Sequence, residues 1–175
     1  MTLRTTATRR SPGLQAAAIL PDIVCLAKSN SGYAMPMALT LLRLECDACE
    51  PGEHSATFRG YKPAFVAAAQ ALELCWSDRT PEARTTALGG QVGHAFAETA
   101  CRHGLPAPRG CGLARGLPFI RPGTAREVCD AAFRNGLLLE TAGVHDQVVK
   151  LRPPLTAAAG QLERGLKLID RAVAR

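Results

Sequence analysis

Lys28 directly follows the apolar run Asp22 to Leu26 and its neighbour Ala27, and it opens a stretch of small and polar residues, Ser29, Asn30, Ser31 and Gly32. Side chains this small leave room for a ligand beside an amine. A partly desolvated lysine loses proton affinity and attacks an aldehyde carbon to give a Schiff base. A solvated loop lysine avoids the cost of burying an unpaired ammonium, and the spacing alone leaves both roles open. The position stands out because only four of the 21 basic residues are lysines: Lys28, Lys62, Lys150 and Lys167.

A second chemical pattern is Cys46-Asp-Ala-Cys49 with His54 close by, since a CxxC pair can ligate zinc or cycle as a disulfide. No second pair of that kind completes four ligands, and His94, His103 and His145 are dispersed. The seven cysteines form an odd set with no secretory signal before them, which fits reduced thiols in a cytosolic protein.

The chain has 175 residues, 47% hydrophobic and 21% charged, an ordinary globular composition for one domain or slightly more. Its longest apolar stretches, Ala16 to Leu20 and Ala34 to Leu42, are far shorter than the roughly 20 residues of a membrane-spanning helix. The net charge of +6 includes Arg4, Arg9 and Arg10 in an acid-free start, so the rest carries only +3, which gives no footing for nucleic acid.

Several elements are needed to position these residues. Residues 1–13 show no hydrophobic period and are expected to be a disordered or non-native leader. The runs Asp22 to Leu26 and Met37 to Leu42 predict two buried strands flanking Lys28, with a turn and loop from Cys46 to His54 around Pro51-Gly52. Pro63 predicts the start of a helix that buries Phe65, Ala69, Leu72 and Trp76. A second helix starts with Thr80 as its cap and runs to His103-Gly104, weakened by Gly89, Gly90 and Gly93. Beyond Pro106 and Pro108, a strand is expected over Gly112 to Ile120. A helix follows, opened by a Thr124/Glu127 capping box and closed at Asn135-Gly136. Short strands over Leu137 to Glu140 and Gln147 to Leu151 precede a final helix capped at Thr156, with a stripe of Leu162, Leu166, Ile169 and Val173. The expected layer therefore has the order strand, helix, strand, strand, helix.

The segments LPDIVCLAKSNSGYAMPMA (20–38), PGEHSATFRG (51–60), ALELCW (71–76), GLLLETAG (136–143) and VVKLRPPLT (148–156) together resemble the class III, pyridoxal-phosphate-dependent aminotransferases. The likeness extends over about residues 14 to 174. It implies an α/β fold, the C-terminal part of a fold-type I aminotransferase: the end of the large-domain sheet followed by the small α+β C-terminal domain. The divisions it implies are a large-domain part over 14–80, a connecting helix over 81–105 and the small domain over 106–175.

By the same resemblance, Lys28 corresponds to the lysine that holds pyridoxal 5'-phosphate and later moves the proton between substrate and cofactor. Thr57 matches the threonine that reaches the cofactor phosphate across the interface of a homodimer; by itself a threonine there is also an ordinary turn cap. Lys150 stands where many family members grip the substrate carboxylate with arginine and where the most similar branch has lysine; by itself it is equally an ordinary edge-strand lysine, and neighbouring Arg152 is the alternative contact. The implied substrates are an amino acid and a 2-oxo acid. The similarity is greatest to the branch that moves an amino group between glutamate and aspartate semialdehyde, giving 2,4-diaminobutyrate and 2-oxoglutarate, in the cytoplasm.

The chain departs from the family in places. Ser55-Ala56 and Thr57-Phe-Arg-Gly differ from the usual phosphate-side loop, and Cys111 replaces an arginine between glycines. Family chains are more than twice as long, and the part upstream of Leu20 carries their phosphate-binding glycines, the ring that stacks on the pyridine and the aspartate that protonates it. The alternative expectation is an inactive remnant or an interaction module that docks on a full-length transaminase.

Overall fold

The computed structural model describes residues 20–27, 31, 35–53, 60–75, 77–78 and 80–174. The expected leader, Lys28, His54, Thr57 and Trp76 lie outside them. The chain divides into two compact units, Met1–Asp78 and Arg79–Arg175.

In the first unit, β1 (Ile23–Ala27) and β2 (Ala38–Leu42) form an antiparallel two-stranded ribbon with Ile23 opposite Leu42 and Ala27 opposite Ala38. Both strands appear where expected, but neither is buried. Val24, Leu26, Leu39 and Leu41 share one half-covered face, while Ile23 (55% exposed) and Leu42 lie on the other. An unbroken apolar run cannot distinguish a strand covered on both faces from one whose faces stay open, because both select the same residues. Arg43 ties the ribbon's end, bonding the Asp22 carbonyl through its N–H (2.9 Å) and the Asp22 carboxylate through its guanidinium (2.8 Å).

A single 3-10 turn (Leu44–Cys46) and a tight turn at Gly52 (φ +97°) follow, in line with the expected loop. Helix α1 (Lys62–Cys75) forms where predicted but turns a different face inward. Ala64 and Ala68 are buried, whereas Phe65, Ala69 and Leu72 are exposed. Positions 64 and 68 make a stripe of small residues about 100° away from the expected one, so the side carrying the larger side chains faces outward.

The second unit contains helix α2 (Thr80–Arg102), strands β3 (Arg109–Cys111) and β4 (Ala114–Pro118), helix α3 (Thr124–Arg134), strands β5 (Glu140–Ala142) and β6 (Val148–Leu151), and helix α4 (Ala159–Val173). The sheet has the order β3-β4-β6-β5 and is antiparallel throughout. Leu117 and Val149, register partners, project from the helix-covered face into a core with Val92 and Phe96 of α2, Val128 and Ala132 of α3, and Ile169 of α4. The predicted stripe of α4 faces this core: Leu162 and Ile169 are buried, and Leu166 and Val173 pack against it.

The strand expected over Gly112 to Ile120 forms as β4, and β3, which was not expected, precedes it and pairs with it as a hairpin. Gly110 (φ +115°) and Gly112 (φ +51°) turn the chain, and Arg115 donates to the carbonyls of Gly110 (3.0 Å), Gly112 (3.2 Å) and Gly89 (3.4 Å). Both predicted glycine C-caps form. Leu105 N–H bonds the Ala100 carbonyl past Gly104, and Leu137 N–H bonds the Ala132 carbonyl past Gly136, at 2.9 and 3.0 Å.

The N-terminal caps differ from expectation. Thr124 is the first residue of α3 rather than its cap; Gly123 takes that place, and the Glu127 carboxylate pairs with Arg121 instead of folding back. Helix α4 begins three residues after Thr156, and Gln161 accepts a hydrogen bond from the Ala158 N–H at its entry (3.1 Å). The strand expected at Leu137 to Glu140 slides forward to Glu140–Ala142, since the C-cap of α3 occupies Leu137 and pairing with β6 starts only at Glu140.

Candidate active site

Strand β1 ends at Ala27, which places Lys28 as the next residue after a paired strand. Ser31 is buried and its hydroxyl donates to the Met35 carbonyl (2.6 Å), so this hydroxyl is used within its own segment. Thr57 belongs to the segment between the turn at Gly52 and α1. The groups expected of a pyridoxal phosphate site, a primary amine and a hydroxyl donor for phosphate, are therefore fixed here by residue type and neighbouring strand only.

The two other expected residues are resolved in detail. On β6, Val149 and Leu151 face the core, so Lys150 projects from the opposite face of the sheet, and Arg152 follows directly after the strand's last residue. Lys150 lies between Gly116 of β4 and Glu140 of β5. Its Nζ pairs with Glu140 Oε2 at 2.8 Å, and its side chain is only 32% exposed. The hydrogen bond from Lys150, then its charge, hold the Glu140 carboxyl below the usual carboxylate range, with a smaller push in the same direction from Arg152. Arg152 is exposed, and among the described residues no hydrogen bond or ion pair engages its guanidinium. Of the two expected cations, Lys150 is paired directly with Glu140, and Arg152 acts on the same carboxylate through its charge alone.

Glu140 is the residue the sequence reading passed over. Its signal was present: the strand-like runs on either side of the Gly143–Asp146 turn fold back about His145, which sets residue 140 opposite 150.

Cys46 and Cys49 are both exposed, and no cluster of three or more potential metal ligands exists among the described residues. All seven cysteines are free thiols; burial pushes the Cys129 thiol up and makes it a poor nucleophile. A groove of about 470 Å³ between α2 and α4 is lined by charges paired with one another, among them Arg102 with Asp170 (2.5 Å) and Lys167 with Glu163 (2.6 Å). It contains none of the expected site residues.

The family model for aminotransferase class-III matches residues 11–173. Among curated proteins, the chain is 47% identical over 159 residues to a diaminobutyrate--2-oxoglutarate transaminase of Nocardia farcinica, covering 91% of this chain and 36% of that protein. It is 48% identical over 160 residues to the Streptomyces coelicolor protein of the same name, covering 90% and 38%. The chain thus spans little more than a third of these relatives. Among solved structures, an acetylornithine aminotransferase from Elizabethkingia anophelis superposes with a TM-score of 0.79 at 27% identity, over 95% of this chain and 42% of that one. Plasmodium falciparum ornithine delta-aminotransferase gives 0.79 at 25% identity, over 92% and 42%.

Proposed function

The chain belongs to the class III aminotransferases, and from that premise we propose that it is the lysine-bearing part of a pyridoxal-phosphate enzyme. The reaction is amino transfer between glutamate and aspartate semialdehyde, giving 2,4-diaminobutyrate and 2-oxoglutarate. The observation that carries this reading is the identity of 47% to a transaminase of that name, sustained over 91% of the chain and across the segment that holds Lys28. Class III membership implies pyridoxal phosphate; when bound, it supplies the electron sink for breaking a bond at the amino acid's Cα.

In this reading the chain's own residues divide the work. Lys28 holds the cofactor covalently and carries the proton to and from the substrate carbon, an office suited to an amine whose proton affinity falls on desolvation. The Thr57 hydroxyl donates to the phosphate across a homodimer interface. Lys150 and Arg152 supply positive charge for the substrate carboxylate. Residues 14–80 serve as the cofactor-binding part and 106–175 as the small domain, with 81–105 connecting them. Among the described residues no helix is long and apolar enough to cross a membrane, and the proposed setting is the cytoplasm.

A second reading is an inactive chain that docks on a full-length transaminase. Incubation with pyridoxal phosphate, borohydride reduction and peptide mapping separate the two. The first reading expects cofactor trapped on Lys28, a visible-edge absorbance band lost in Lys28→Ala, and a glutamate half-reaction. Equal spectra for the native chain and Lys28→Ala would abandon it in favour of the second.

A further inference from the structure

The chemistry assigned to Lys28 depends on a connection with length to spare. Ten residues, 28–37, join β1 to β2, although the strand ends Ala27 and Ala38 are register partners that a two-residue turn could link. A connection of this length is ordered by contacts of its own. Ser31 makes one: the residue is 2% exposed, and its hydroxyl donates to the Met35 carbonyl at 2.6 Å.

That burial is out of keeping with the surroundings. In the first unit the other buried residues among those described are Ala64 and Ala68, while Ile23, Leu44 and Leu74 lie open. A hydroxyl gains nothing from leaving water unless its hydrogen bond is made, so what Ser31 contributes is the bond. The bond crosses four residues and fixes the middle of the connection. Lys28 is thereby bracketed: Ala27, just before it, is paired in the ribbon, and Ser31, three residues after it, is tied to Met35. Three residues of chain reach at most about 11 Å. Without the Ser31 bond the next described fixed point is Ala38 of β2, and the reach of chain to it is about 35 Å.

We propose that Ser31 is a positioning residue for Lys28. Its bond to Met35 holds the lysine amine in a sheltered place, ready to meet a carbonyl carbon, and its hydroxyl takes no part in the bond-making itself. The proposal rests on the aminotransferase reading above and names a residue on which its cofactor lysine depends.

The test is competitive acetylation of the full 175-residue chain with a trace of acetic anhydride, each lysine being read by peptide mapping. Exposed Lys62 is the internal reference, and Lys150, paired with Glu140, is the control for general loosening. A sheltered amine gives up its proton more readily, so at about pH 7 it acetylates faster than a solvated one. The native chain is expected to label Lys28 about tenfold faster than Lys62, and Ser31→Ala to bring the two rates together with Lys150 unmoved. Ser31→Cys, whose thiol is a weaker donor of similar shape, should fall between them and carries the comparison if the alanine variant does not fold. The advantage of Lys28 should close by about pH 11, where both amines are deprotonated, whereas a difference in access alone would persist at every pH. Backbone amide spectra verify the fold of each variant.

The assignment is overturned if Lys28 labels no faster than Lys62 in the native chain, a result that needs no variant. It is equally overturned if the variants leave the ratio unchanged, if Lys150 shifts as far as Lys28, or if the ratio is the same at both pH values. Borohydride trapping of pyridoxal phosphate on Lys28 of the native chain reports separately on the functional reading. Trapping with an unchanged ratio in the variants defeats the positioning role alone; a ratio that collapses in the variants with no trapping defeats the aminotransferase reading alone.

Discussion

The two units use apolar residues in opposite ways. In Arg79–Arg175, three helices and a four-stranded sheet enclose one continuous core, and Phe96, Leu117, Val149 and Ile169 are almost wholly hidden. In Met1–Asp78, the buried apolar residues among those described are only Ala64 and Ala68, while Ile23, Leu44, Val66 and Leu74 are well exposed. A two-stranded ribbon has too few faces to cover itself, and α1 hides its small residues rather than its large ones. The contrast separates a part that supplies its own stability from a part whose residue types anticipate more covering than its described residues provide.

That contrast can be broken most directly in the core. Phe96→Ala should cost about 3–5 kcal/mol in urea unfolding, through lost burial and the cavity left behind. Leu74→Ala on α1, 78% exposed, should stay within about 0.5 kcal/mol. Similar losses for the two would mean that the units do not differ in packing as described.

Next in size is the joint between α2 and α4. Asp170 accepts from the buried Thr99 hydroxyl (3.0 Å) and from Arg102 (2.5 Å). Asp170→Ala leaves that hydroxyl without its acceptor and should lower stability by about 1–3 kcal/mol, read from the shift in denaturation midpoint.

A smaller and two-signed effect is expected at the glycines of α2. A Cβ on Gly89 would lie 2.7 Å from the backbone of Gly112, whereas one on Gly90 meets nothing within 4 Å. Gly90→Ala should therefore raise the melting temperature, corresponding to about 0.5–1 kcal/mol of helix preference. Gly89→Ala should lower it, since the helix and the β3–β4 turn must separate. If both raised it, the close approach of α2 to the hairpin would be refuted.

The smallest effect is electrostatic. Lys150 lowers the Glu140 carboxyl from 4.5 through its hydrogen bond and charge. A group whose folded value is depressed contributes stability above its unfolded value, and that contribution is lost as pH falls through the folded value. The titration midpoint of Glu140 by carboxyl resonance should lie below 4.5 and return towards it in Lys150→Met. An unchanged midpoint in that variant would refute the Glu140–Lys150 pair.

Much of the second unit was legible in the residue order, and for local reasons. Glycine at 104 and 136 closes helices because each takes a positive φ that other residues resist, and the stripe from Leu162 to Val173 has the helical period. The differences from expectation have both distant and local causes. The β3–β4 hairpin is held by Arg115 reaching to the Gly89 carbonyl of α2, a contact distant in sequence, whereas Thr124 yields its capping role to the adjacent Gly123, already in the left-handed region. The buried face of α1 was misplaced because Phe65 and Leu72 have the right period, yet a period does not say which side is covered.

The sequence by itself determined the family and the lysine after β1, because these are properties of residue type and order. Only the tertiary structure decided which carboxylate Lys150 meets. Pairing of β5 with β6 brings Glu140 to 2.8 Å from Lys150. An ion pair between adjacent strands arises from register, and register is fixed by the side chains those strands bury on their other face.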